Sequence, residues 1–461
     1  MNLLYSAAER VLVWLGEARN SSDIAMRKLL ELAERRETTF DAKAASMSLI
    51  YDCLIDRNWW GRLWVVQEVV LAKKDPIMIC GSSSLPWSTF VKGCIASGLD
   101  KPGLPEHGGR NVERLSQFDA LKNLRGLYQS QIISNKGCRL SSILRSTKDS
   151  YAADPRDKVY GTLGLLCTTD RDKLKPDYKK SVELVFLEAT QYILKHEADH
   201  YISFFSRFSL ATNLKTLSRA SPSWIPDFSA QKTISPCNPS LMTRAPGHIY
   251  EKLFLEAEKD VSFQDHNRFL ACPGVLVDAI EIVAELKDNE KLLLDQIPGL
   301  EHLIQLAVGK VIPADDPRYY FSKFKKCEDI FQLLTGGRNN MLEPSFRCQY
   351  NVLTSQAGSS ILGSQTPREF SSGLIWLLQH VLLGRCFFIS KMGFFGLAVT
   401  RVRKNDFVTF LFGNHLPMML RPRGLSYCMV SAANVSGLTH DEVTGGINEK
   451  GPLEERTFLI R

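Results

Sequence analysis

The eleven cysteines include no C-x-x-C pair, and they lie scattered from Cys53 to Cys428 in an odd number. Such spacing supplies neither a zinc ribbon nor a disulfide framework, and it points to reduced thiols in a cytosolic protein. A basic secretory leader is also lacking, because Glu9 and Arg10 already interrupt the N-terminal stretch. No apolar run is long enough to span a bilayer. The longest near the end, Leu374–Gly384, is broken by Gln379 and His380. A soluble, cytoplasmic chain is therefore expected. Gly-x-Ser-x-Gly elbows, Walker loops, G-x-G-x-x-G turns, internal repeats and low-complexity tracts are all missing. What remains is 461 residues, 44% hydrophobic and 23% charged, which is an ordinary globular composition with room for two or three domains.

The opening reads as a helix end followed by a strand, Val11–Leu15, stopped by Gly16. Helical patterns follow at about Ser22–Arg36 and Asp41–Asp56. The densest stretch is Arg57–Gly81, which places Trp59, Trp60, Trp64 and the Gln67-Glu68 pair in one short helix and then a strand, Ile77–Cys80. Leu63, Val66 and Val70 recur at helical spacing, and Trp64 and Glu68 are four residues apart on a neighbouring face. A carboxylate beside indole has a chemical use, since an apolar neighbour raises its pKa toward that of an acid-base group. The plainer alternative makes Trp64 core and Glu68 a solvated or salt-bridged acid. Leu85–Ser97 reads as a helix with Pro86 at its start, Lys101–Arg110 as a loop and Val112–Ser130 as a helix.

Asp154–Leu166 has a clear local logic: Asp154 can cap, Pro155 fits the first helical position and Asp157 suits the positive helix end. Val159, Tyr160, Leu163 and Leu166 supply its buried face. A helix at Val182–Glu197 follows the Pro176-Asp177-Tyr178 turn. Ser221–Asp227 is a proline-fixed extended segment with Trp224 as an anchor. Beyond about residue 240, short strands are expected at Lys252–Ala257, Arg268–Ala271 and Val275–Val283, then a helical insertion near Asn289–Leu383. A strand-rich end, Cys386–Val430, carries turns at Gly393, Gly396, Lys404-Asn405, Gly413 and Arg423-Gly424, as in a small antiparallel barrel or sandwich.

Three segments invite a chemical reading. His196-Glu197-Ala198-Asp199-His200 fits H-E-x-x-H. However, it places Asp199 between the histidines, lies near a helix end and lacks a downstream ligand, so a metalloprotease is rejected. Between Arg385 and Gly424 seven basic residues (Arg385, Lys391, Arg401, Arg403, Lys404, Arg421, Arg423) face one acid, Asp406, within a chain of formal net charge +7. A phosphate or acidic partner is one use of such a segment. Its phenylalanines, among them Phe387, Phe388, Phe394 and Phe410, could stack on bases, but the basic residues cluster in turns. That arrangement favours a barrel core over a nucleic-acid surface.

Several blocks, in order, resemble the fungal heterokaryon-incompatibility (HET) domain. They are Tyr5-Ser6-Ala7-Ala8 through Trp14-Leu15-Gly16; Arg57–Ala72 through Cys80-Gly81 and Trp87; Asp154–Tyr160 through Leu163-Gly164-Leu165; and Pro176-Asp177-Tyr178. Trp224–Asp227 and the tail around Gly393–Gly396, Asp406 and Arg421 resemble the later part of such proteins. The family's usual leading strands precede the block seen here at Tyr5, so the resemblance implies a domain that lacks them. The fold it implies is α/β, TIR-like or flavodoxin-like, missing its first strands. A mixed α+β region ending in the barrel or sandwich would follow. The boundaries expected are a partial HET domain at 1–110, a helical HET-associated region at 111–240 and a C-terminal region at 241–461, strand-rich over 386–432.

The family implies allorecognition and a cell-death response, with other incompatibility proteins or a second copy as partners and no membrane or cofactor. Trp14, Gly16, Arg57, Trp59, Arg62, Trp64, Gln67, Gly81, Trp87, Asp154, Arg156, Asp157, Tyr160, Asp177 and Tyr178 are then motif or structural residues. TIR enzymes that cleave NAD carry a Trp-Cys-x-x-Glu helix. Trp64-Val65-Val66-Gln67-Glu68 keeps the Trp and Glu spacing without the cysteine. The alternative implied is therefore hydrolysis of NAD as substrate with Glu68 as the catalytic residue.

Overall fold

A valine- and leucine-rich stretch that ends in a glycine needs a ladder partner, and Leu12–Trp14 (β1) finds one far along the chain. In the computed structural model it pairs in parallel with Ile77–Cys80 (β2), matching Leu12 to Ile77, Val13 to Met78 and Trp14 to Ile79. Parallel neighbours require a crossover, and helices supply it. The structure describes residues 2–19, 21–34, 40–99, 112–133, 138–197, 205, 221–229, 262–286, 290–311, 313, 382, 384–398, 402–412, 416–436 and 455–461. The chain divides into two compact units: residues 1–193 with 228–232, and residues 194–227 with 233–461.

The first unit begins with α1 (Asn2–Ala7), β1, α2 (Ser22–Ala33) and α3 (Phe40–Ile50). Ala25, Met26, Leu29 and Leu32 form the buried stripe of α2, the spacing of one helical face. A π-helical turn, Tyr51–Ile55, and a 3-10 turn, Asn58–Gly61, lead to α4 (Val65–Val70). The expected single tryptophan helix is thus two pieces, with Trp59 and Trp60 in the first and Trp64 at the cap of the second. Arg62 between them is extended and bridges Tyr151. That tertiary pairing breaks the helix. Then come β2 and β3 (Ser83–Pro86), an antiparallel hairpin that turns at Gly81 in the left-handed region (φ 55). Helix α5 (Trp87–Ser97) starts one residue after Pro86, which ends β3. The unit continues through α6 (Val112–Ile133), α7 (Leu140–Ser146), α8 (Asp157–Tyr160), α9 (Thr168–Arg171) and α10 (Val182–His196).

The second unit contains β4 (Ser262–Gln264), β5 (Phe269–Glu285), α11 (Glu290–Val308), β6 (Cys386–Ser390), β7 (Phe395–Ala398), β8 (Phe407–Leu411), β9 (Met418–Arg423), β10 (Ser426–Val435) and β11 (Glu455–Ile460). The two strands expected at Arg268–Ala271 and Val275–Val283 are one 17-residue strand, β5. It serves several partners in succession: β4 and β11 at its start, β8 over Gly274–Ala279 and β6 over Ile280–Glu285. Register shifts at Leu276/Asp278 and Ile280/Ile282 mark local bulges, which bend a strand. The pairings β5–β8, β8–β9, β9–β10, β10–β7, β7–β6 and β6–β5 return to their starting point. Val277, Phe388, Phe394, Phe410, Met419 and Val430 belong to the core they build.

The expected turns at Gly393, Asn405 and Gly424 fall in left-handed backbone, whereas Gly396 lies within β7. The strand expected at 252–257, Gly413 and most of the expected insertion at 289–383 lie outside the described residues. The mixed α/β character with a large antiparallel sheet toward the C-terminus is what the chain forms.

Candidate functional site

Residues of the first three motif blocks meet in the first unit. Arg57 is 4% exposed. Its Nε donates to the Cys53 carbonyl (2.7 Å) and its Nη1 to those of Leu15 (3.1 Å) and Glu17 (2.9 Å). The guanidinium therefore fixes the turn after β1 to the π-helical turn. Gly16 sits there at φ 116, and a Cβ on it would lie 3.0 Å from Nη1. Gly81 closes the neighbouring strand end, donating its N–H to the Gly16 carbonyl (3.0 Å). Trp14, by contrast, is half exposed.

Trp60 is the centre of an aromatic cluster. Its Nε1 donates to the Leu54 carbonyl (2.8 Å), and its ring meets Trp59 edge-on at 4.9 Å, Phe118 at 5.4 Å, Phe90 at 5.9 Å and Trp87 at 6.2 Å. Contacts of this kind add about 0.5–1.5 kcal/mol each beyond area burial. Gln67, buried on α4, donates through Nε2 to the Gly161 carbonyl (2.7 Å), which ties the second block to the third. Gly161 is needed there, since a Cβ would lie 2.7 Å from the Asp157 carbonyl and 3.1 Å from a Leu63 methyl.

Asp154, Arg156, Asp157, Tyr160, Asp177 and Tyr178 form a second knot. Arg156 holds the Asp154 carboxylate through Nη2 (2.7 Å) and Nε (3.0 Å), and its Nη1 reaches the carbonyls of Tyr178 and Lys180. It also lies over the Tyr178 ring at 5.3 Å. Tyr178 donates its hydroxyl to Asp157 (2.6 Å), and Tyr160 donates to the Asp177 carbonyl (3.1 Å). The bond from Arg156 holds the Asp154 carboxyl below the usual carboxylate range. Burial and the Asp157 partner push the Tyr178 phenol well above its ordinary value. This knot latches one turn to another, and the exposed Tyr178 is held in it through its hydroxyl.

Glu68 stands apart from both. Half-buried on α4, it has Arg62 as a charged neighbour and accepts a hydrogen bond from the Trp59 side chain. Burial raises its carboxyl above the ordinary value, and Arg62 and Trp59 partly oppose the rise. Burial, then the Glu68 charge, likewise raises the Tyr5 phenol, and Arg62 pulls it back. Tyr5, Trp59, Arg62 and Glu68 thus form one polar cluster, and the indole hydrogen-bonded to Glu68 is that of Trp59. Trp64 contributes the carbonyl that accepts the Glu68 backbone N–H (3.4 Å).

Two buried cations escaped the sequence reading. Arg125 on α6 donates to the carbonyls of Val69, Ala72 (3.2 Å) and Lys74 (3.3 Å), capping α4. Lys158 donates to those of Thr147 (3.4 Å), Lys148 (2.8 Å) and Ser150, closing the turn after α7. Nothing local marked either one: Lys158 ends the charged run Asp154–Lys158, and Arg125 follows Lys122 and Asn123 in α6.

In the second unit two residues of the basic segment serve the structure. Arg385 is buried, and Arg421 pairs with the buried Asp406 through two 2.8 Å bonds. Phe387, Phe388, Phe394 and Phe410 are core, so they cannot stack on bases. Lys391, Arg403, Lys404 and Arg423 are exposed; Arg401 is outside the described residues. Trp224 is fully buried, with its Nε1 toward the Arg268 carbonyl (3.5 Å), the anchor expected of it. Helix α10 ends at His196, and residues 198–200 of the H-E-x-x-H pattern are outside the described residues. Among the described residues no cluster of acids, histidines and cysteines could hold a metal, no helix is long and apolar enough to cross a membrane, and the eight cysteines form no disulfide.

One comparison with known proteins falls on the segment that carries this geometry. Residues 1–68, which carry β1, Arg57, the tryptophans and Glu68, match the family model described as heterokaryon incompatibility protein (HET). The chain is also similar to a Neurospora crassa protein named "Heterokaryon incompatibility protein 6, OR allele". The two are 21% identical over 521 aligned positions, covering 92% of this chain and 74% of that protein. No solved structure matches. The resemblance to HET proteins stated from the motifs is thereby supported.

Proposed function

We propose that this chain acts in heterokaryon incompatibility, as a signalling and interaction module of fungal allorecognition whose output is a cell-death response. The observation that carries this reading is the HET match over residues 1–68, the segment in which Arg57, Trp60 and Gln67 bind the motif blocks into one body. A TIR-like α/β arrangement is the reading of the first unit that fits its parallel β1–β2 pair and helical crossover. A small closed barrel is the reading of the second that fits its circuit of strand pairings around a phenylalanine core. The test is to pair two fungal strains that differ only in this gene. Unlike pairs are expected to give short-lived or dying fusion cells, while like pairs stay viable. Stable unlike fusions, with the protein present in soluble form, would overturn the proposal.

A second reading, NAD hydrolysis, rests on the cluster around Glu68. A half-buried carboxylate with a raised pKa, beside an arginine and an indole donor, has the make-up of a group that holds ribose hydroxyls and steadies an oxocarbenium-like transition state. Whole-cell NAD measured in the same strains, with the natural chain and with Glu68→Ala, separates the two. A fall in NAD confined to the natural chain favours hydrolysis, whereas unchanged NAD leaves the module without chemistry of its own.

A further inference from the structure

Three separate segments of the second unit bring cations to one point on β5. The turn after β6 donates its Lys391 N–H to the Ala279 carbonyl (2.9 Å), and the turn before β8 donates its Asn405 N–H to the Ile280 carbonyl (2.8 Å). Glu281 is the next residue of β5. Lys310, just past the end of α11, pairs with its carboxylate and donates to the Lys391 carbonyl (3.3 Å). Lys310 first, then Lys404 and Lys391, hold the Glu281 carboxyl below its ordinary range. Arg403 stands beside Lys404 in the same turn. Four cations thus gather around one carboxylate.

Like charges brought together repel one another, and a single carboxylate offsets only part of that repulsion. Among the described residues no hydrogen bond or ion pair engages the side chains of Lys391, Arg403 or Lys404, and all three are exposed. The two other acids nearby are buried and engaged: Asp278 accepts the Met392 N–H (2.7 Å), and Asp406 pairs with Arg421. A surface of this sign takes an acidic partner. The rings behind the turns, Phe388, Phe394 and Phe410, are core and offer bases no platform for stacking. The carboxylate at the centre narrows the choice further. It repels an evenly anionic face such as a bilayer, whereas a peptide carries its acids at intervals and can set them on the outer cations.

We infer that this corner of the second unit is a docking surface for an acidic segment of a partner protein. Carboxylates of the segment meet Lys391, Arg403 and Lys404, while Glu281 keeps Lys310. Contacts of this kind are individually weak and screened by salt, and they speed association more than they add affinity. The surface rests on the interaction-module reading for its biological partner. Its binding is measured on the purified chain, without any fusion of strains, so either can fail without the other.

Fluorescence anisotropy of a labelled peptide of alternating glutamate and serine, titrated with the full chain at low salt, tests this. Saturable binding is expected, weakening as salt rises. Lys391→Glu and Lys404→Glu should each weaken it roughly fivefold, with unchanged circular dichroism because both side chains are exposed. Arg456→Glu reverses an exposed charge on β11, opposite Gly274 and well back along β5, and should leave binding as it was. Glu281→Gln frees Lys310 and should strengthen binding about twofold, a gain that misfolding cannot mimic. No binding overturns the proposal, as does an equal loss with Arg456→Glu or no gain with Glu281→Gln. Tighter binding of an RNA oligonucleotide or of phosphatidylserine vesicles than of the peptide overturns it too.

Discussion

Glu68 is governed by three neighbours that pull in different directions. Burial favours its neutral form, while Arg62 and the Trp59 hydrogen bond favour the charged one, and burial prevails. Its carboxyl in the folded chain therefore holds its proton to a higher pH than in the unfolded chain. Below the ordinary carboxylate range both states are protonated and Glu68 costs nothing. As pH rises through the interval between the two values, the folded state comes to carry a partly desolvated charge and loses stability. Glu68→Gln should then raise the Tm at pH 7, with the gain shrinking to nothing below about pH 4. Calorimetry of both chains at the two pH values checks it. A lower Tm for the glutamine form at pH 7 would mean that Arg62 and Trp59 outweigh burial. Arg57 shows the opposite case: its guanidinium is buried, yet backbone carbonyls surround it, so its work is to hold loops.

Between elements, the decisive contacts pass through positions with no spare room. Gly161 lies where α8 ends under Leu63 and accepts the Gln67 amide. Gly161→Ala must displace Leu63 or the end of α8, an overpacking cost of about 1–3 kcal/mol, read as a lower urea midpoint with unchanged m-value. Helices α2, α5, α6 and α10 and strands β1 and β2 were legible in the sequence because apolar periodicity and turn residues mark them locally, whereas α7 and α9 were not expected. The split of the tryptophan helix was not, because its cause is the pairing of Arg62 with Tyr151, far along the chain. β3 was missed because Ser83-Ser84-Leu85-Pro86 shows no apolar alternation. β5 read as two strands because Pro273-Gly274 resembles a break. Gly274 is instead a close approach, where a Cβ would lie 2.3 Å from the Phe410 carbonyl. At the candidate site, Glu68 and its arginine and indole surroundings were within reach of sequence spacing. That the indole is Trp59 and that Tyr5 joins the cluster come only from how α1 lies against α4.

Across the whole chain, two units with different kinds of glue imply different responses to damage. The first is held by aromatic packing and by buried cations that cap helix and turn carbonyls; the second is a strand circuit with a buried ion pair at one corner. Asp406 is 2% exposed on its side chain and Arg421 19%, and Asp406 also accepts the Arg403 backbone N–H at 2.7 Å. Arg421→Met keeps the apolar stem but leaves a buried carboxylate without its cation, a loss of about 3–5 kcal/mol. That energy should be lost where the pair sits. Native-state hydrogen exchange is expected to show amides of β8, β9 and β10 losing protection together, while those of α4 and α6 exchange as in the natural chain. An equal loss in both units would mean that the chain opens as one cooperative body. In that case a change in the C-terminal unit would bear directly on the stability of the first unit.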